Sequence, residues 1–310
     1  MNTVLDHSKS NDLRAAGSMV LAMVIIGIID NYIVVLSEHI GLWQFQVARS
    51  VIAVALIALM SAAGLGTLKP RRLWAVAARS AFITLAMLFY FGALAFLPFA
   101  QAVAGLFTSP VFVLLITAFL LRRPIGPWRI LAVAIGFTGI LFVLNPQAGH
   151  LSWSMIMPVV GGLFYAMGAI ATRELCEGES TMCLLNGIIV MQAIFGGVAL
   201  MVLTMVAPDV PDGSAGFLVR GWIWPFWEVM HLVLLQAVGS VAGVALIILA
   251  YQLGTASQVA VLEYSALVFG PFFAWILLGQ VISMWQAFGI AMIACAGIIV
   301  ALRSGRNNGA

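Results

Sequence analysis

Asp30 and Glu263 place carboxylates inside long apolar stretches of a 310-residue sequence. An ionisable group is expensive at membrane depth and marks a functional position by default. Asp30 could act as counter-ion to a substrate ammonium or carry a proton. It could equally be a structural acceptor beside Asn31. Glu263 could line a cavity or reach the surface near the turn Gly254-Thr255. Tyr90, Phe107, Tyr165 and Tyr264 fall near the middles of apolar segments, where ring faces could stack on a planar molecule or attract a cation. Asp30, Asn31, Tyr90, Phe107, Tyr165, Glu263 and Tyr264 therefore form the candidate substrate-binding set. No catalytic residue is assigned, because the chain has no His-Glu-x-x-His, no Gly-x-Ser-x-Gly and no acids paired at one depth. The three cysteines (Cys176, Cys183 and Cys295) lack the spacing of a disulfide framework or a zinc site and read as free thiols. No metal or cofactor is expected.

Composition identifies the medium around these residues. Apolar residues make up 63% of the chain and charged ones 8%, against about 25% in an ordinary globular domain. Fourteen basic and eleven acidic side chains cannot cover a water-soluble surface of this size. Lipid is the solvent. No Asp, Glu, Lys or Arg occurs from Ser80 to Leu121, from Ile130 to Thr172 or from Tyr264 to Leu302. Each stretch is long enough for two helices of about 20 residues, and turn signals divide it at Leu97-Pro98, Asn145-Pro146-Gln147 or Gly279-Gln280. With the remaining apolar segments, ten spans are predicted: 15–36, 46–63, 76–96, 100–121, 129–144, 153–172, 183–206, 229–251, 257–278 and 285–302. Helical rise sets Asp30 and Glu263 roughly 10–15 Å apart in depth, which disfavours a direct pair.

With the amino terminus in the cytoplasm, twelve of the fourteen basic residues fall on the cytoplasmic side, as the positive-inside rule requires. Both termini are then cytoplasmic, and the net charge of +3 reports topology rather than nucleic-acid binding. Arg49, near the outer end of the second span, is expected to snorkel to the headgroups.

A shift of 157 residues superposes Ala93 on Ala250, Gln101 on Gln258, Phe112 on Phe269, Leu120-Leu121 on Leu277-Leu278 and Trp128 on Trp285. Spans three to five thus match spans eight to ten. A repeat of five helices crosses the membrane in the opposite sense in its second copy, the inverted plan of many secondary carriers. The fold expected is an all-α membrane protein of ten transmembrane helices in two inverted five-helix repeats. Its parts are a polar tail (1–14), a first repeat (15–144), an external linker (145–152), a second repeat (153–302) and a cytoplasmic tail (303–310). An enzyme acting on lipid-linked substrates has no general need of such symmetry, whereas alternating access does.

Ala93, Gln101-Ala102, Pro110, Leu120-Leu121 and Trp128 with Gly136 and Gly139 resemble the EamA repeat of the drug/metabolite transporter superfamily. So do Ala250, Gln258, Pro271, Leu277-Leu278-Gly279 and Trp285 with Gly289, and Phe45 with Arg49. The usual acidic residue after Leu-Leu-Gly is replaced by Arg122-Arg123 and by Gly279-Gln280. The resemblance implies an inner-membrane carrier of small molecules, with general similarity to YddG-type exporters of aromatic and other neutral amino acids. Efflux of cationic drugs is the alternative, and proton coupling is open through Asp30 or Glu263. Pro110 and Pro271, in the middles of spans four and nine, are expected to kink them and act as hinges.

Overall fold

The computed structural model describes residues 2–122, 127–144, 152–253 and 262–304. The turn Gly254-Thr255, Gln258 and most of the 145–152 linker lie outside them. Among the described residues every regular element is helical. In order, the helices are α1 (Asn2–His39), α2 (Leu42–Ala62), α3 (Leu73–Leu94), α4 (Phe99–Leu106), α5 (Ser109–Leu115) continuing into a π turn (Ile116–Leu120), and α6 (Pro127–Leu144). Then follow α7 (Trp153–Leu175), α8 (Thr181–Val206), α9 (Trp227–Leu253), α10 (Ala266–Leu278) and α11 (Met284–Ser304), with a 3-10 turn at Gly213–Gly216. Seven stretches are long and apolar enough to cross a bilayer, including the α4–α5 pair counted as Phe99–Leu120. The apolar parts Ile130–Leu144, Ala266–Leu278 and Met284–Ala296 are shorter. The seven and the three correspond to the ten segments predicted from sequence. The polar start is helical here, since α1 runs back to Asn2.

The boundaries follow local chemistry. Gly41 separates α1 from α2, and its backbone lies so close to the Arg220 carbonyl that no Cβ would fit. Pro98 precedes α4, as a residue lacking an N–H can at a helix start. Gly279 ends α10 at φ 65°, the left-handed cap that glycine adopts without strain.

Packing sorts the helices into two bundles, each of which mixes the repeats. In bundle one, α1 packs on α9 and α10; in bundle two, α7 packs on α3, α4 and α5. The pairs α2–α8 and α6–α11 tie the bundles together. Gly139 and Gly289 let the α6 and α11 backbones touch, since a Cβ at Gly139 would lie 2.7 Å from the Gly289 carbonyl oxygen. Exchanging each helix for its repeat equivalent maps one bundle onto the other.

The two ends of the assembly are packed differently. The end bearing Gly41, the 95–98 turn and residues 207–226 is called the Gly41 end; the opposite end bears residues 63–72 and Glu179. A continuous apolar core joins both bundles toward the Gly41 end, from Ile33, Leu36 and Phe45 through Leu94 and Phe99 to Phe217 and Val233. Two further clusters of buried apolar residues stand apart from it. One is Ala15, Met19, Ala22, Met23 and Ala250; the other includes Ala53, Ile57, Met182 and Leu185. Among the described residues, the apolar core is continuous at the Gly41 end, which is sealed by it, and divided into separate clusters toward the Glu179 end.

Candidate functional site

Span four is broken at Phe107-Thr108, between α4 and α5, and the chain turns again at Tyr264-Ser265 just before α10. These positions are 157 residues apart, the spacing of the sequence repeat. Their hydrogen bonds repeat too. The Thr108 hydroxyl donates to the Gly105 carbonyl at 2.7 Å, and the Ser265 hydroxyl to the Leu262 carbonyl at 2.6 Å. Val111 N–H donates to Thr108 O and Val268 N–H to Ser265 O, each at 2.9 Å. A short polar side chain bonding its own backbone competes with the helical ladder and stabilises such a break.

The two prolines expected as hinges stand apart from these breaks. Pro110 lies in the first turn of α5, where its missing N–H costs no helical bond. Pro271 lies inside α10, several residues beyond the break. The interruptions coincide with the hydroxyl residues, not with the prolines.

At the breaks, Phe107 and Tyr264 stack on each other with centroids 5.3 Å apart and planes inclined by 26°. They come from opposite bundles and from equivalent positions of the two repeats. Tyr165, on α7, is 38% exposed although it lies within electrostatic reach of Glu263 and Arg79. Gly162, one turn earlier on α7, lies against the Gly105 and Leu106 carbonyls and the Thr108 hydroxyl, where a Cβ would collide.

Asp30, Asn31 and Tyr90 form a second group, closer to the Gly41 end. The Tyr90 hydroxyl donates to Asp30 Oδ2 at 3.1 Å, and both side chains are buried. Gln236 on α9 donates to Ile29 O at 2.7 Å and more weakly to Asp30 Oδ1 at 3.5 Å. Asn31 Nδ2 donates to the carbonyls of Gly27 (2.6 Å) and Gly270 (3.0 Å), tying α1 to α10. The seven candidate residues thus divide into Asp30-Asn31-Tyr90 within the sealed half and Phe107-Tyr165-Glu263-Tyr264 at the breaks.

Arg49 does not reach the headgroups. It is 3% exposed, its Nη2 donates to Gln192 Oε1 at 2.6 Å, and its guanidinium lies 5.1 and 5.0 Å from the Phe45 and Phe91 ring centroids. Ring faces and one amide hold the cation where snorkelling would have lost them. Gln192 and Gln236 were not singled out in the sequence. Their signal is an amide inside an otherwise apolar helix, weaker than that of a charge.

Residues 13–145 and 152–303 each match the EamA-like transporter family. The chain belongs to that family. A "Riboflavin transporter" of Rhizobium johnstonii is 26% identical over 238 residues, 76% of this chain and 73% of the relative. An "Uncharacterized transporter" of Helicobacter pylori strain J99 is 25% identical over 219 residues, 70% of each chain. A "Riboflavin transporter" of Vibrio cholerae is 24% identical over 205 residues, 65% of this chain and 62% of the relative. One crystal structure aligns with a TM-score of 0.64 at 17% identity, over 96% of this chain and 98% of its own, which shows a shared fold. An EamA-like transporter is a multi-pass membrane protein whose substrate is a small molecule. Family membership makes the chain a membrane transporter.

Proposed function

We propose that this EamA-like transporter moves a small planar aromatic molecule with a polar end, by alternating access. The central site is at the paired helix breaks. The Phe107–Tyr264 stack carries this reading, because it pairs rings from opposite bundles and from equivalent positions of the two repeats. Broken helices near the midplane are where secondary carriers form their substrate sites. A flat substrate between the rings would replace one stacking contact by two, and Glu263 and Tyr165 are at hand for its polar end. The ten segments then span the inner membrane with both termini cytoplasmic, and the Gly41 end faces outward.

Two substrate classes fit. The relatives named riboflavin transporters favour a flavin-type ring. Export of aromatic or other neutral amino acids is favoured by Tyr165, whose ring feels the opposite charges of Glu263 and Arg79, a pairing suited to a zwitterion.

Proteoliposomes loaded with riboflavin, tryptophan or threonine test the class and the site together. Phe107→Ala should slow the planar substrate roughly two- to tenfold, the worth of one ring contact, and spare threonine. Equal losses for every substrate, per folded molecule, would remove the stack from the site.

A further inference from the structure

We propose that Asp30 is a proton site that controls the Gly41 end: a proton on its carboxyl holds that end closed, and loss of the proton releases it. This rests on the alternating-access reading, and the test below separates the two.

Asp30 lies on α1 in bundle one, and Tyr90 lies on α3 in bundle two. Their hydrogen bond therefore crosses the gap that must open. Gln236 belongs to α9, in the same bundle as Asp30, and stays beside it. The charged or titratable side chains facing Asp30 are Tyr90 from α3 and Arg49 from α2. From α9 comes the neutral Gln236, and from α10 the backbone of Gly270 against neighbouring Asn31. Arg49 acts on Asp30 at a distance without an ion-pair contact, because its Nη2 is on Gln192 and two rings flank it.

The geometry supplies a place for the proton. Gln236 Nε2 is committed to the Ile29 carbonyl, which fixes the orientation of the amide. The Oε1 of the same amide is buried without a partner. A protonated Asp30 still accepts from Tyr90 through Oδ2 and gives up only the weak 3.5 Å bond from Gln236. The closed interface then buries a neutral carboxyl instead of a charge. Opening withdraws Tyr90 and admits water from the Gly41 side. Water favours the ionised carboxylate, and the proton leaves to that side. A group whose proton affinity differs between two conformations biases their equilibrium with pH. Protons therefore favour the closed Gly41 end, and alkaline pH favours its opening.

The test is thiol labelling of Leu97→Cys, which reports the seal at the Gly41 end, with Cys176, Cys183 and Cys295 changed to serine. Labelling is expressed relative to the same thiol in the unfolded protein at each pH, because the thiolate is the reacting form. On that scale it should rise several-fold from acid to alkaline pH. Asp30→Asn, a permanently neutral side chain, should label slowly at every pH. Gln236→Leu removes a donor that favours the ionised carboxylate in the closed state and should enlarge the alkaline rise in labelling, which keeps the proposal testable if Asp30→Asn does not fold. The proposal is overturned if the pH dependence survives in Asp30→Asn, or if Gln236→Leu labels as the parent does. The readout needs no substrate. Transport without pH-dependent labelling removes the proton site alone, whereas pH-dependent labelling without transport of any substrate removes the carrier reading.

Discussion

The two ends of this molecule use the same symmetry-related loops with very different strength. At the Gly41 end, the α1–α2 turn is clasped by residues 207–226. Arg220 donates to the carbonyls of Ser37 (2.9 Å), Ile40 (3.4 Å) and Gly213 (2.7 Å). Gln44 exchanges two 2.9 Å bonds with Ile223, and Trp43 donates to Leu218 O at 2.7 Å. Leu42 N–H donates to Phe217 O at 2.8 Å. At the other end, the α7–α8 turn meets residues 63–72 through Glu179, which accepts the Arg71 and Arg72 N–H groups at 3.0 and 2.8 Å. Arg220 and Gln44 are buried, whereas the bonds of Glu179 are at the surface. A hydrogen bond shielded from water is stronger, and its loss leaves partners that cannot rehydrate. An inverted repeat thus need not have two equal ends. One clasp is built to persist and the other to yield.

Breaking the stronger clasp should have the largest effect. Arg220→Ala leaves three carbonyls without their shared donor, at a cost of about 3 kcal/mol or more. The expected result is a clear fall in the melting temperature of the purified protein. Lysine should rescue it poorly, because one ammonium does not reproduce the guanidinium fork. Full stability in Arg220→Ala would mean that the clasp is decoration and the comparison of the ends fails.

An intermediate effect is expected where bundle two closes on bundle one. The Phe99 ring occupies the space that a side chain on Gly270 would fill, and Phe99 N–H donates to Gln280 Oε1 at 3.1 Å. Gly270→Val should overpack this seat by roughly 1–3 kcal/mol and raise labelling of Leu97→Cys. Adding Phe99→Ala should relieve the overlap and restore stability. No relief in the double variant would show that the seat lies elsewhere. In the repeat register Phe99 corresponds to Ala256, so the ring plug has no counterpart of equal size in the second copy.

Much of this architecture is legible without coordinates, since the charge-free stretches and the 157-residue register are properties of composition and order. The register also marks Phe107 and Tyr264 as equivalents, yet the break itself was read from Pro110 and Pro271. Proline advertises a lost donor in any sequence. Thr108 and Ser265 break the helix only because each hydroxyl turns to a carbonyl three residues back, a choice that ordinary helical serines and threonines share. Arg49 and Arg220 were similarly opaque. A basic residue near a span end looks alike whether it snorkels or turns inward, and the deciding partners, Gln192 and the Ser37 carbonyl, are 143 and 183 residues away. The grouping of α1 with α9 and α10 is a tertiary fact that a repeat alone does not specify.

The smallest effect should come from Glu179, and pH exposes it. Hydrogen bonding from the Arg71 N–H, followed by that from Arg72 and the charges of both guanidinium groups, holds this carboxyl below the usual carboxylate range. A carboxyl whose pKa is lowered by folding adds stability above its unfolded value and loses that contribution as pH falls through the lowered one. Acid should therefore loosen the Glu179 end, in a window below the ordinary range for a carboxylate. Amide exchange at Arg71 and Arg72 reads this directly. Protection in the parent should fall on acidification, while Glu179→Gln should be weakly protected throughout. Identical protection in both would make the contact incidental. If both pH effects hold, they act in one direction: a proton on Asp30 closes the Gly41 end, and a proton on Glu179 loosens the opposite one. Acid then favours the arrangement seen here, sealed at the Gly41 end and divided toward the other. The strong clasp stays out of this balance, because its bonds run from the Arg220 guanidinium and the Gln44 amide to backbone groups and involve no carboxylate.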